Sequence, residues 1–440
     1  MPARYCLVLL LCFAGPVLAG PKIQTWETSG GTPVYFVEAH ELPMVDIQIT
    51  FDAGSARDPE SLHGLSAITS SLLAEGAAGL SADQISFEFE GLGANFGANA
   101  GYDSASVSLR SLSDKKKLGS AVKTLLKVLS KPDFPAQAIE RQRKRFLIGI
   151  QQKKQSPSAV AREAFYSAVY GEHPYAHPQS GSEESISVIK REDIVSFYQS
   201  YYVRGNAVIA IVGDLKRRQA KKLAEKIGRA VRKGKAAPSL PQVSMLEKKQ
   251  LLNIEHPSTQ THILLGQPGL TRGDADYFPL YVGNHILGGS GLVSMLFKEV
   301  REKRALSYSA YSYFSPMRKK GPFIAGLSTR ADQANAALKV LQDTIESFVE
   351  KGPSEAALQA AKKNITGGFP LRIDSNSNIL GYVAVIGFYK LPLDYLDTFT
   401  SKIEAVSVDD IREAMSRRLQ TDSFATVMVG PGAQNSEGVN

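Results

Sequence analysis

Cysteine is almost absent from this chain of 440 residues, which contains only Cys6 and Cys12. Both lie within residues 1–19, a stretch with the composition of an export signal. A mature chain that begins after this stretch has no disulfide and no thiolate with which to bind a metal. Metal binding or nucleophilic chemistry would therefore have to use histidine, carboxylate or hydroxyl side chains.

An apolar run long enough to span a bilayer is also missing from the amino terminus. Residues 7–14 are apolar but fall short of the ~20 residues that a spanning helix needs. Arg4 precedes them, and residues 17–19 end in Ala19, as in a secretory signal with a small residue at its cleavage site. We expect residues 1–19 to be a signal peptide cleaved before Gly20, with a retained membrane anchor as the alternative. The expected compartment is the periplasm.

The net charge of +8 does not indicate a nucleic-acid partner. The basic residues occur in short, separated groups, such as residues 115–117, 216–218 and 319–320. Aromatic residues do not alternate with these groups, as they do in platforms that stack nucleotide bases. The charge is therefore interpreted as a solvated surface.

The chain repeats itself at a spacing of 217 residues. Asp193 and Asp410 each open a helical stretch, and an apolar strand ending at Gly213 or Gly430 follows each stretch. Asp114 also precedes an amphipathic helix with apolar steps of three and four, a pattern that recurs in the second half. The repeat predicts an α+β fold of two duplicated halves, each a mostly antiparallel sheet packed with helices.

The predicted division of the chain follows from this repeat. Residues 20–232 form the first half and residues 244–433 form the second. Residues 233–243, which contain two prolines, are predicted to be an extended linker. Residues 434–440 are predicted to be a disordered tail.

Residues 64–77, GLSAITSSLLAEGA, have the frame of a metal-binding helix without its chemical groups. In the motif H-x-x-E-H, two histidines bind zinc and the glutamate is the general base. The corresponding positions here are Ala67, Ser70 and Ser71. None of these side chains is a useful zinc ligand or base near neutral pH. We therefore predict that this chain binds no metal at that helix.

Together with the segment LFKEVREKRALSYS at residues 296–309, this frame resembles the insulinase/pitrilysin family of zinc proteases in its short bacterial subunit form. The resemblance covers about residues 25–430. It implies duplicated α+β halves and two subunits that close around a peptide chamber. It also places the third zinc ligand of catalytic members at Ile148, so this chain resembles a non-catalytic subunit that lacks the motif.

The same resemblance assigns Arg301 and Tyr308, seven residues apart, to a pair that grips the substrate carbonyl and the tetrahedral intermediate from the second half. A guanidinium is always charged, and a phenol can donate a hydrogen bond to a developing oxyanion. The simpler interpretation is an ion pair of Arg301 with Glu299 or Glu302, and a half-buried strand position for Tyr308.

Other motifs carry weaker signals. A proline follows both His173 and His177, so a helix presenting both is not expected, and the segment is predicted to be a structural loop. Residues 288–291, GGSG, lack a nucleotide fingerprint and are predicted to be a turn, with substrate guidance as the alternative. Residues 93–109 resemble the edge-strand region of the family, which either binds peptide or pairs with the partner. His256, His262 and His285 are expected in the core or on the surface, and His63 stands at the wrong offset for a metal ligand.

The leading hypothesis is an exported, non-catalytic subunit of a heterodimeric zinc metalloendopeptidase. Its partner is expected to be a catalytic paralogue with an intact H-x-x-E-H motif that holds the zinc. Arg301 and Tyr308 are expected to act across the chamber on unfolded or short peptides. The alternative is a peptide-binding or structural scaffold of the same fold, and an independent protease with another metal site is disfavoured.

Overall fold

The computed structural model describes residues 20–431, and two mixed sheets form its framework. The predicted signal peptide and the predicted tail, residues 1–19 and 434–440, lie outside the described residues. Within the described range, no helix combines the length and the apolar character needed to cross a membrane.

The first half begins with a short edge strand and ends with a helix that follows its last, buried strand. Its strands are β1 (Gln24–Glu27), β2 (Pro33–Glu38), β3 (Met44–Phe51), the small hairpin β4 (Gly76–Ala77) and β5 (Leu80–Ser81), β6 (Asn95–Ala100), β7 (Ala105–Leu112) and β8 (Ala207–Gly213). Its helices are α1 (Leu65–Leu72), α2 (Ala82–Glu90), α3 (Lys115–Ser130), α4 (Ala136–Lys154), α5 (Pro157–Tyr170), α6 (Glu183–Val188), α7 (Arg191–Tyr201) and α8 (Arg217–Ala230).

The second half follows after residues 233–243, which form neither helix nor strand. Its strands are β9 (Gln250–Glu255), β10 (Gln260–Pro268), β11 (Ala310–Phe314), β12 (Pro322–Arg330) and β13 (Ala425–Gly430). Its helices are α9 (Tyr277–Asn284), α10 (Met295–Phe297), α11 (Ala334–Lys351), α12 (Glu355–Gly368), α13 (Asn376–Tyr389), α14 (Tyr395–Ala405) and α15 (Val408–Arg418).

The two sheets have the same strand order, which confirms the predicted duplication. The first sheet runs β1-β2-β8-β3-β7-β6 and the second runs β11-β12-β10-β13-β9. With β1 left out and one order reversed, each strand matches the strand about 217 residues away. In each sheet one pair is parallel, β2 with β8 and β9 with β13, and the other pairs are antiparallel. The predicted α+β class with mostly antiparallel sheets is confirmed.

One helix of each half packs on the sheet of the other half. Phe165 on α5 belongs to an apolar cluster with Ile324 and Val427 of the second sheet. Val383 on α13 packs in turn with Val212 of the first sheet. The boundary at residues 233–243 therefore follows the path of the chain, whereas the packing crosses it twice.

A glycine makes one of these crossings possible. A Cβ on Gly387 of α13 would lie 2.8 Å from both Tyr35 and Val208 on the first sheet. Real Cβ contacts are not that short, so the helix would have to move away from the sheet. Glycine at this position allows the close approach that buries the apolar face of α13.

A buried carboxylate joins the two halves by hydrogen bonds. Asp103, 5% exposed, accepts 2.7 Å from the backbone N–H of Arg318 and 2.8 Å from the hydroxyl of Tyr389. It also accepts a short hydrogen bond from the hydroxyl of Tyr175. Because Arg318 and Tyr389 come from the second half, these bonds fix the relative position of the two sheets.

Candidate functional site

Packing and a carboxylate cap hold the motif helix α1 in place. Asp58 accepts hydrogen bonds from the backbone N–H groups of Gly64 and Ser66, at 2.8 and 2.7 Å. Burial raises the pKa of Asp58 to about 8, although these N–H donors act in the opposite direction. Leu65 and Ile68 are buried in the core of the first half. The helix therefore forms from apolar contacts and its cap, and neither requires a metal.

The four positions that correspond to zinc ligands and base lie at different depths. Ser70 is 2% exposed, whereas Ala67 and Ser71 are partly exposed on the same helix. The hydroxyl of Ser71 donates 2.8 Å to the carbonyl of Ile68, one turn earlier. Ile148 on α4 is 58% exposed to solvent.

A cavity of about 440 Å³ lies between α1 and α4, on the side of Ser71. The α4 side chains that line it include Gln142, Arg145 and Phe146, and Ile148 is not one of them. The structure therefore brings Ser71 to this cavity but leaves Ile148 outside it.

The side chains around this cavity do not fit zinc. Its carboxylate, Glu75, accepts 2.6 Å from Gln142 and pairs with Arg141. The remaining polar lining consists of hydroxyl groups and of the cations Arg145 and Lys153. Zinc in proteins takes histidine, thiolate or carboxylate ligands and is repelled by nearby cations. Across residues 20–431 no group of three or more His, Cys, Asp or Glu side chains is arranged to hold a metal ion.

Arg301 and Tyr308 lie side by side on the surface of the second half. Arg301 donates 3.3 Å to the backbone carbonyl of Tyr308, and its guanidinium lies 5.8 Å from the centre of the Tyr308 ring. The guanidinium also lies 5.0 Å from the ring centre of Phe297. Tyr308 is 80% exposed and lies just before β11. The two side chains are thus adjacent and exposed to solvent.

The simpler interpretation of this pair does not match the contacts. Glu299 pairs with Lys303 and Arg304, at 2.6 and 2.7 Å. In the part of the chain that the structure describes, Arg301 has no carboxylate within ion-pair distance. Tyr308 is exposed and outside the strand, not half-buried within it.

The turn that connects the pair carries backbone strain. A π-helical turn, Lys298–Glu302, contains Arg301, and Ala305 follows it with a φ of 51°. Its N–H donates to the carbonyl of Arg301, and the N–H of Leu306 donates to that of Val300. This left-handed helix end usually takes glycine, because a Cβ costs about 1–2 kcal/mol there.

The predicted histidine loop contains a short helical turn, Pro174–Ala176, that packs against α5. His177 stacks on His63, with ring centres 3.6 Å apart. Burial, together with the neighbouring His177, lowers the pKa of His63. His173 is buried and lies 3.2 Å from the carbonyl of Pro241. These contacts are structural.

Three further histidines lie in the second half. The Nε2 of His256 is 3.3 Å from the carbonyl of Lys154, and His262 lies in β10. His285 begins a π-helical turn, His285–Gly289, and lines a cavity of about 580 Å³.

The glycine-rich segment forms the wall of that second cavity. A Cβ on Gly288 would lie 2.4 Å from the backbone nitrogen of Ser312 on β11. Only glycine lets the turn approach the strand so closely. Two arginines, Arg272 and Arg372, line the same cavity. Sequence reasoning missed them because they lie 100 residues apart and belong to no motif.

The predicted edge-strand region, residues 93–109, contains one edge strand, β6, and most of the internal strand β7. Within the described residues, β6 lies at the end of the first sheet and pairs only with β7. Nothing in its pairing separates peptide binding from pairing with a partner chain, the two roles that the sequence left open.

Family models and known proteins agree on the ancestry of the chain. Residues 34–183 match the model described as insulinase (peptidase family M16), and residues 189–365 match the model described as peptidase M16 inactive domain. A crystal structure from Pseudomonas fluorescens, described as a peptidase M16 inactive domain, is 40% identical, with a TM-score of 0.90. The match covers 93% of this chain and 98% of that one.

Two curated relatives extend along nearly the whole chain. The "Non-peptidase homolog YmxG" of Helicobacter pylori is 25% identical, over 90% of this chain and 91% of its own length. The "Uncharacterized zinc protease YmxG" of Bacillus subtilis is 22% identical, over 93% and 98%. Together with the two-sheet architecture and the altered motif helix, these similarities place the chain in peptidase family M16, the insulinase family.

Proposed function

We propose that this chain is the non-catalytic subunit of an exported, heterodimeric zinc metalloendopeptidase. The partner subunit carries an intact H-x-x-E-H helix and holds the zinc. This chain closes the peptide chamber and contributes Arg301 and Tyr308 to binding of the substrate and the transition state. Unfolded or short peptides are the substrates, because a closed chamber excludes folded proteins.

The observation that carries the proposal is the contrast between the two sites. The α1 positions Ala67, Ser70 and Ser71 offer no zinc ligand, whereas Arg301 and Tyr308 are adjacent and exposed. A guanidinium without a carboxylate partner on the surface is available to bind a substrate carbonyl or an oxyanion. A chain with a purely structural role has no need of this arrangement.

The strain at Ala305 is a second supporting observation. Its left-handed backbone turns the chain between Arg301 and Tyr308, so that the two side chains meet. Strained backbone persists where the surrounding structure holds it, and it is enriched at functional sites.

Peptidase activity of reconstituted mixtures tests the proposal. The mature chain is assayed alone and with an M16 paralogue that has the intact motif, with zinc content measured for each protein. We expect activity in the mixture only, and zinc in the paralogue only.

Single substitutions then test the pair. Arg301→Ala is expected to lower kcat/KM of the mixture by roughly 10²–10³-fold, the usual effect of removing a donor to an oxyanion. The complex should still form, as measured by size-exclusion chromatography. Arg304→Ala is the matched control, because Arg304 pairs with Glu299 and should leave the rate unchanged.

Two results would count against the proposal. If no intact-motif paralogue forms a complex with the chain, the scaffold interpretation is favoured. If the complex is active and Arg301→Ala changes nothing, the chain closes the chamber without contributing to the transition state.

A further inference from the structure

The cavity beside the glycine-rich turn lies in the second half, and neither Arg301 nor Tyr308 lines it. It measures about 580 Å³, is open to solvent, and is bordered by α9, the glycine-rich turn, β11 and the loop after β10. Its lining is aromatic and basic: Arg272, Arg372, Tyr277, Tyr281, His285 and Tyr311.

Two guanidinium groups line this cavity, and neither has a carboxylate partner within residues 20–431. Arg372 donates 2.5 Å to the hydroxyl of Tyr281, a neutral acceptor. Arg272 lies over the ring of Tyr389, 5.6 Å from its centre, and its buried Nε has no hydrogen-bond partner among the described residues. A buried guanidinium N–H without an acceptor is costly unless a ligand supplies one.

The carboxylates closest to Arg272 in the sequence, Asp274 and Asp276, pair with other arginines. Asp274 accepts from Arg418 at 2.7 Å, and Asp276 accepts from Arg417 and Arg418 at 2.7 and 2.6 Å. These pairs lower the pKa of Asp276, so its carboxylate stays ionised and bound. No side chain of this cluster is left to neutralise Arg272.

The tyrosines provide a surface for an apolar group beside the two charges. The rings of Tyr277 and Tyr281 stack with centres 5.8 Å apart, and those of Tyr311 and Tyr313 with centres 6.0 Å apart. Tyrosine rings bind apolar or aromatic side chains, and their hydroxyls can donate to an anion. Burial and the charge of Arg372 lower the pKa of His285, which favours a neutral ring on the cavity wall.

We propose that this second-half cavity binds a carboxylate of a peptide between Arg272 and Arg372, with the adjoining side chain against the tyrosines. Arginine is suited to this ligand because its fork of donors matches the two oxygens of a carboxylate. The peptide nature of the ligand rests on the proposed function. The carboxylate is either the C-terminus or an acidic side chain, and the experiment distinguishes these sources.

Fluorescence anisotropy with the mature chain alone tests the inference. The probes are fluorescein-labelled Gly-Gly-Ala-Ala-Phe as the free acid, the same peptide as the C-terminal amide, and Gly-Gly-Ala-Glu-Phe amide. If the site takes a C-terminus, the free acid binds at least about tenfold tighter than both amides, as a charged hydrogen bond implies. Comparable binding of the glutamate peptide identifies an acidic side chain as the ligand.

Substitutions locate the binding. Arg372 is exposed, so Arg372→Gln should fold normally and weaken binding by about tenfold. Arg272→Gln should act in the same direction, with its thermal unfolding measured because Arg272 packs on Tyr389. Arg330→Gln is the control, because Arg330 pairs with Asp332 on the surface and should not change the affinity.

Three outcomes would overturn the inference: no binding of any probe, equal binding of all three, or displacement by inorganic phosphate as effectively as by free peptide. The assay needs no partner subunit, so its failure is distinguishable from failure of the proposed function. If the mixture is active but this chain binds no peptide acid, the subunit proposal stands and the carboxylate site is rejected. If this chain binds peptide acid but stimulates no paralogue, the carboxylate site stands and the scaffold role is favoured.

Discussion

The two halves of this chain share one architecture and differ in chemistry. The first half keeps the motif helix α1 in place with serine and alanine at its chemical positions. The second half presents the exposed pair Arg301 and Tyr308, and its cavity is lined by two arginines that have no carboxylate partner among the described residues. Buried side chains such as Ile68 build the framework, so the ligand positions could change without loss of the fold. Fold and catalysis are specified by different residues.

The coupling between the halves is the feature whose removal should have the largest effect. We expect Asp103→Ala to lower the free energy of unfolding by about 3 kcal/mol, because one buried and two partly buried donors lose their shared acceptor. Denaturant unfolding measures this. Asp332→Ala, which removes only an exposed pair with Arg330, should leave stability unchanged. Similar losses in both variants would show that Asp103 does not join the halves.

Placing a glutamate at the general-base position of α1 should show whether that position still has room for a charged side chain. We expect Ser70→Glu to cost about 2 kcal/mol of stability, because Ser70 is 2% exposed and a buried carboxylate is poorly solvated there. Ser71→Glu should cost less than about 0.5 kcal/mol, because Ser71 borders a cavity lined by Arg145 and Lys153. Thermal unfolding compares the two, and a well-tolerated Ser70→Glu would mean that the old base position remains open.

The strained turn in the second half should respond in the opposite direction. We expect Ala305→Gly to raise the free energy of unfolding by about 1 kcal/mol, because glycine adopts the left-handed conformation without a Cβ clash. Ala360→Gly, at an exposed position inside α12, should lower it by about 0.5–1 kcal/mol. A loss of stability in Ala305→Gly would remove the argument from strain.

The smallest expected effect concerns pH and the stacked pair His63 and His177. Because the pKa of His63 is lowered in the folded state, the unfolded chain binds protons more readily. The contribution of His63 to stability is thus present above its ordinary pKa of 6.5 and is lost as the pH falls below it. As the pH is lowered from about 8 to about 5, the melting temperature of His63→Gln should decrease less steeply than that of the unaltered chain. Identical pH profiles would show that His63 is solvated enough to titrate normally.

The sequence alone determined the repeat, the fold class and the family. The spacing from Asp193 to Asp410 reflects strands that pair in the same order in both sheets, because helical and strand periodicities record which faces are buried. The loss of ligands at Ala67, Ser70 and Ser71 was also readable, because a helical motif keeps its chemistry at fixed short spacings.

Only the tertiary structure decided which distant residues meet. In the folded chain, α5 packs on the sheet of the second half and α13 on the sheet of the first half. Arg272 and Arg372 line the same cavity, and Ile148 lies outside the α1–α4 cavity. Periodicity indicates that a face is buried but not what covers it, since any apolar surface satisfies the same pattern. Contacts between residues far apart in sequence depend on that choice, and so do the sites that they form.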